Sequence, residues 1–292
     1  MTVPPLLHDR DRWERRVDAW IDSASGDAFT HTVRLVEPDA GVETVVIARP
    51  SPTYEIRSAR ATAVAGEVDH GALAGCAKLA GVPMIAGLGR RLAEATGDGT
   101  GAHLVRLAII EVARLARQVA KIPPERAERA LAAGPFACRE LDREAFADLS
   151  DSCFTYSDDA APLFGARDVL TPMTAEIYSA PPGRERIFER RKVVRLERAG
   201  GLLRLFHSMH DNVHGFELMY EVDLASARIV RVNAVTSRLP YLGICSEPQR
   251  HVHALVGETL DQDLSKRIQG VLGGRTGCAQ LYDLTSDLLK LV

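Results

Sequence analysis

The chain has no apolar run near the ~20 residues that a membrane-spanning helix requires. Its N-terminus lacks an apolar h-region, because charge begins at His8-Asp9-Arg10. The reading is therefore no membrane span and no signal peptide. Cysteine is scarce and unpatterned: Cys76, Cys138, Cys153, Cys245 and Cys278 are odd in number, far apart, and form no Cys-x-x-Cys. That argues against a disulfide framework and for free thiols in a reducing cytoplasm. The 36 Lys and Arg fall just short of the 39 Asp and Glu, so the basic face of a nucleic-acid binder is missing. Aromatic residues make up only 5%, which reads as coding bias in a chain rich in Ala, Arg and Val. Gly-x-Ser-x-Gly, His-Glu-x-x-His and a dinucleotide fingerprint are all absent. The Gly-rich turns Gly97–Gly101 and Gly273–Gly277 lack the Lys-Ser/Thr of a P-loop.

What is present is ordinary globular material, 46% hydrophobic and 26% charged over 292 residues, enough for two domains. An internal repeat organises it. Glu14-Arg15-Arg16 recurs as Glu189-Arg190-Arg191, 175 residues on, and the segment ending at Ile56 lies over the one ending at Ile229. Cys76 and Cys245 follow in similar places, then Leu79-Ala80-Gly81 and Leu255-Val256-Gly257, then Thr100-Gly101 and Thr276-Gly277. The matches are collinear, which points to a tandem duplication. Three units follow: a degenerate first repeat at 8–121, a helical and irregular linker or lid at 122–183, and a second repeat at 184–292.

Each repeat reads as α+β. Phe216, Leu218, Tyr220 and Val222 alternate with polar neighbours, as do Leu203, Leu205, His207 and Met209; 228–236 is a third strand. Helices follow, the last carrying Leu281, Leu284, Leu288 and Leu291 on one stripe. The expected fold is thus two tandem copies of a three-stranded antiparallel sheet plus helices, related by a pseudo-twofold axis. Such a chain works as a monomeric pseudo-dimer or a homodimer, with the linker walling a cleft between the repeats.

The second repeat resembles a bacterial family catalogued as domain of unknown function 2889. The residues that carry the resemblance are Gly201-Leu202, His214, Val222-Asp223, Pro240–Cys245, Leu255-Val256-Gly257, Leu272-Gly273-Gly274 and Gly277–Leu281. Gln280 departs from the family's His, and Gly215-Phe216 from its Asp-Met. The association of that family with bacteria rich in aromatic catabolism implies an aromatic substrate. A more distant resemblance, to the NifU and IscU iron–sulfur scaffolds, rests on a strand pair followed by Cys245 and Cys278. It implies a NifU/IscU-like fold and places His214 at a metal position, although the scaffold's first cysteine has no counterpart.

Two constellations carry chemistry. His207, His210, Asp211, His214, Tyr220 and Tyr241 lie in or beside the second-repeat strands. Histidine titrates near neutrality and a carboxylate fixes its tautomer, which suits acid–base catalysis. In that reading His210 or His214 is the base, Tyr220 or Tyr241 the acid, and Arg60 or Arg191 an anion clamp. His31, Tyr54 and His103 from the first repeat complete the substrate pocket. The expectation is a cytoplasmic, cofactor-independent lyase or hydratase acting on a small aromatic molecule. The alternative joins His214, Cys245 and Cys278 as ligands for zinc or an iron centre. A third reading is a non-catalytic module that docks a partner through 122–183.

Overall fold

Buried and exposed residues alternate with period two through Arg12–Ser23 and Phe188–Ala199. Trp13, Val17, Ala19 and Ile21 turn inward, while Arg12, Arg16 and Asp18 face out. Phe188, Val194 and Leu196 repeat this pattern against Glu189 and Arg191. Both segments are strands, although charge dominates their sequence. The computed structural model, which describes residues 4–23 and 26–292, names them β1 and β5. They pair antiparallel from Arg12↔Glu197 to Ile21↔Phe188.

That pairing corrects the expected architecture. In place of two three-stranded sheets there is one eight-stranded antiparallel sheet in the order β4-β3-β2-β1-β5-β6-β7-β8. The other strands are β2 (Phe29–Val36), β3 (Ala40–Ala48), β4 (Ile56–Gly66), β6 (Leu202–Asp211), β7 (Gly215–Asp223) and β8 (Arg228–Arg238). The expectation of three strands per repeat missed the fourth strand of each half, the one that carries Glu-Arg-Arg. Glu14, Arg16, Glu189 and Arg191 sit on the wet face of a sheet whose other face is covered, where charged side chains cost little, while Arg15 and Arg190 turn to the covered side.

The two halves follow the same strand order, and their irregularities correspond. Register shifts fall between Gly41/Val42 and Ile47/Ala48 in the first half, and between Gly215/Phe216 and Glu221/Val222 in the second. A side chain at either bulge glycine would be crowded, against Leu35 O and Val36 at Gly41 and against Ser237 Oγ at Gly215.

Helices cover the inward face. In the first half they are α1 (His70–Gly75), α2 (Leu88–Thr96) and α3 (Ala102–Leu115). α3 presents Leu104, Val105, Ala108, Ile109, Val112 and Leu115 to the core as an apolar stripe. The linker contributes α4 (Pro124–Ala133), α5 (Pro135–Ala145), α6 (Leu163–Ala166) and α7 (Ala175–Ser179). The second half has a 3-10 helix at Glu247–Leu255, then α8 (Leu264–Leu272) and α9 (Ala279–Leu289). Two large hydrophobic clusters result, one under each half of the sheet. No helix among the described residues is long and apolar enough to cross a membrane.

Two cations of β5 point into this covered face and are paired there. Arg190 bonds Asp211 at 2.9 and 2.6 Å. Lys192 bonds Glu111 of α3 at 2.7 Å, and Arg114 joins Glu111 to Asp287 of α9. Breaking such a pair leaves a buried charge uncompensated. Arg190→Met is therefore expected to lower unfolding stability in urea by about 3–5 kcal/mol. Arg191→Met, one residue on and facing solvent beside Asp18, should change it by less than about 1 kcal/mol.

Candidate functional site

A chamber of about 110 Å³ opens where the second half, the linker and the segment after α3 meet. Its walls are largely apolar: Phe146 and Leu149 from the linker, Val213 from the β6–β7 connection, Phe216 from β7 and Leu239 from the residue after β8. Polar groups enter from each side, namely Arg117, Asp142, Tyr156, His214 and Tyr241, with Cys153, Cys245 and Cys278 among them.

The connection from β6 to β7 builds the first polar group. Asp211 ends β6, and its Oδ1 accepts from the backbone N–H groups of Val213 at 2.9 Å and His214 at 2.6 Å. This side-chain-closed turn fixes where His214 sits. Arg190 grips the other carboxylate oxygen. Burial raises the Asp211 carboxyl, but the His214 ring beside it, the Arg190 guanidinium and the Val213 N–H outweigh burial and hold it well below the usual range. An ionised Asp211 lies 3.1 Å from His214 Nδ1, so the ring proton is held at Nδ1 and Nε2 is left as the acceptor. No group among the described residues bonds Nε2. The ring stacks on Phe216 at 6.0 Å.

The second polar group centres on Asp142 of α5, which is 1% exposed. Its carboxylate accepts from Tyr156 at 2.8 Å, from Tyr178 at 2.8 Å and from Tyr241. No cation pairs with it among the described residues. Burial pushes its pKa up to about 6, against the three phenol hydrogen bonds that favour the charged form. The thiols nearby stay protonated. Burial raises Cys153 to about 11 and lifts Cys245 and Cys278 as well, while Thr155 Oγ1 lies 3.0 Å from the Cys245 sulfur.

Arg117 closes the first-half side. It donates to Asp148 at 2.6 Å and to the Met84 and Ala113 carbonyls, and it stacks 4.6 Å over Tyr54. Tyr54 donates to the same Asp148, so it braces this wall from behind.

Of the residues singled out from sequence, His214, Tyr241, Cys245 and Cys278 meet at the chamber, with Asp211 behind His214. The others lie elsewhere. His207 is buried with Nδ1 2.9 Å from Leu284 O, and burial lowers its pKa to about 3. Tyr220 bonds Thr285 in the second core. His31 is buried under the first half and lowered to about 4 by burial. His103 is surface-exposed, 3.5 Å from Glu37. Arg60, Arg191 and His210 face solvent on the uncovered side of the sheet, His210 beside Glu217 and Arg191 beside Asp18. Among the described residues no three His, Cys, Asp or Glu side chains converge as a metal site requires, so His214, Cys245 and Cys278 do not fit that role. Sequence reasoning missed Asp142, Tyr156 and Tyr178. One signal was available: Asp142 falls on the buried stripe of α5 with Cys138 and Leu141, where a lone carboxylate is out of place.

Residues 199–291 match the model of the family described as Protein of unknown function (DUF2889). The matched stretch contains His214, Tyr241, Cys245 and Cys278, but none of the linker. No curated protein and no solved structure matches the chain.

Asp142 generates a pH signature. The folded chain keeps its proton up to about pH 6, whereas the unfolded chain releases it near 3.8, the ordinary value. Between those values the folded state binds the extra proton, so this group's contribution to stability is lost as pH rises. Comparing urea midpoints near pH 4 and pH 7, Asp142→Asn should remove a decline on the order of 3 kcal/mol that wild type shows.

Proposed function

We propose that the protein is a cofactor-independent enzyme that moves protons on a small organic molecule held in the chamber, by lyase or hydratase chemistry. The observation that carries this reading is the free Nε2 of His214, aimed by an ionised Asp211, at an apolar chamber. A neutral imidazole so oriented takes a proton from carbon, and Asp211 steadies the imidazolium that forms. As the C–H electron pair becomes a C=C bond, the leaving hydroxyl departs with the proton that His214 returns to it. The net change is loss of water, and the reverse sequence adds water. Tyr241 donates its proton to Asp142, so in this reading it holds that carboxylate and His214 serves as both base and acid. The size of the chamber suits one small ring at most, since a cavity of ~150 Å³ holds benzene. Its walls, Phe146, Tyr156, Phe216 and Tyr241, favour a flat aromatic or unsaturated molecule.

Duplication of an ancestral four-strand unit belongs to the same proposal. Matching strand order and the two matching pairs of bulges support it. One half then kept the polar residues and the other became a brace, so that a single chain completes the site as a monomer. A cytoplasmic setting is consistent with five free cysteines.

The test uses solvent deuterium. Purified protein is incubated in heavy water with a library of small hydroxylated and unsaturated molecules, and deuterium incorporation is read by mass spectrometry. Incorporation that drops roughly 10²–10⁴-fold in His214→Gln, and also falls in Asp211→Asn, supports the reading. Incorporation that survives unchanged in His214→Gln overturns it.

A further inference from the structure

An anion clamp made of Arg60 and Arg191 would suit a carboxylate ligand, but both side chains lie on the uncovered face of the sheet. The cations near the chamber are already in use. Arg117 spends its N–H groups on Asp148 and two backbone carbonyls, and Arg190 is committed to Asp211. Among the described residues an entering carboxylate therefore finds no uncommitted Arg or Lys at the chamber.

Asp142 presents the opposite case. It borders the chamber, is almost fully buried, and has only neutral phenols for partners. A carboxylate offers about four acceptor positions, and three are filled. A buried charge without a counter-ion is costly, and a ligand can supply the missing ion. The surrounding rings add to this, since Tyr156, Tyr241, Phe146 and Phe216 all border the same space and aromatic faces attract ammonium groups.

We propose that the chamber selects a small organic cation, an amine of ring size or less, whose ammonium group is met by the Asp142 carboxylate. This rests on the same chamber as the proton-transfer reading. It places the charged end of the substrate at the linker and the reacting carbon toward His214.

The groups facing Asp142 define how pH acts on it. Cys138 lies on its own helix, one turn back, and Arg139 turns away to the Thr155 and Ser157 carbonyls. Tyr156 and Tyr178 come from the linker and Tyr241 from the turn after β8. Cys153, Cys245, Cys278, His214 and Arg117 border the chamber beyond them. Burial raises these thiols and phenols, so they stay neutral over the range used, and Asp142 is the carboxylate in their midst whose charge changes.

Calorimetric titration with isobutylammonium, isobutanol and isobutyrate separates the charge classes on one carbon frame. At pH 8 the cation should bind wild type at least tenfold more tightly than the alcohol, with no binding of isobutyrate. At pH 5 the cation's affinity should fall about tenfold as Asp142 takes up a proton. Asp142→Asn should bind cation and alcohol equally. His214→Gln should keep both the preference and the pH effect, which separates failure of the charge assignment from failure of the proton-transfer reading. The wild-type series stands even if Asp142→Asn does not fold. Equal or tighter binding of the alcohol or of isobutyrate by wild type overturns the proposal, as does no binding of any of the three by folded protein.

Discussion

The antiparallel ladder between β1 and β5 is the constraint on which everything else rests. It joins two four-strand units edge to edge and removes the two edges that would otherwise lie open at the middle of the molecule. It also fixes the direction in which β5 faces. With that register, Arg190 and Lys192 have to enter the covered side, and each must find an anion there. Asp211 and Glu111 supply it. The Arg190–Asp211 contact then determines where the connection to β7 runs, and so where His214 points. A backbone pairing at the centre thus reaches the candidate site through one ion pair and one turn.

The site is asymmetric although the sheet is nearly symmetric. The second half supplies His214, Tyr241 and the thiols. In the first half, Gly41 occupies the bulge that Gly215 marks in the second, and no histidine adjoins it. What the first half contributes instead is a wall, through Arg117, braced by Tyr54 and Asp148. The linker then adds Asp142, a buried carboxylate whose partners among the described residues are phenols. Each part of the chain supplies something the others lack, which is why the chamber forms only at their junction.

Much of the second half was legible. Alternation in Phe216–Val222 placed four side chains in the core, and all four are fully buried. The motifs of the second repeat hold His214, Tyr241, Cys245 and Cys278, which all border the chamber, although the sequence reading spreads them over two separate constellations. β1 and β5 were not legible as strands, because a strand with one wet face carries charges at every second position and reads as a solvated segment. Arg60, Arg191 and His210 were misplaced for the same reason: period two sends neighbours to opposite faces, and nothing in the sequence says which face is covered. Asp142 was hidden differently. Its three tyrosines lie 14, 36 and 99 residues away, so no local pattern announces the cluster.

The linker leaves and re-enters the fold at one place. Ala120 and Ile122 donate to the carbonyls of Ile177 and Tyr178, and Lys121 bridges Ser179. Its two ends are therefore neighbours, closed by backbone hydrogen bonds like the neck of a drawstring bag. Topologically the segment is an insertion: the sheet and both helical layers are complete without a strand from it. Because the cost of closing a loop grows only slowly with its length, such a segment can lengthen, shorten or be exchanged while the scaffold keeps its register. The part of the molecule that holds Asp142, and with it the charge of the chamber, is thus the part freest to change. One sheet can carry a series of differently lidded chambers, each with its own choice of ligand.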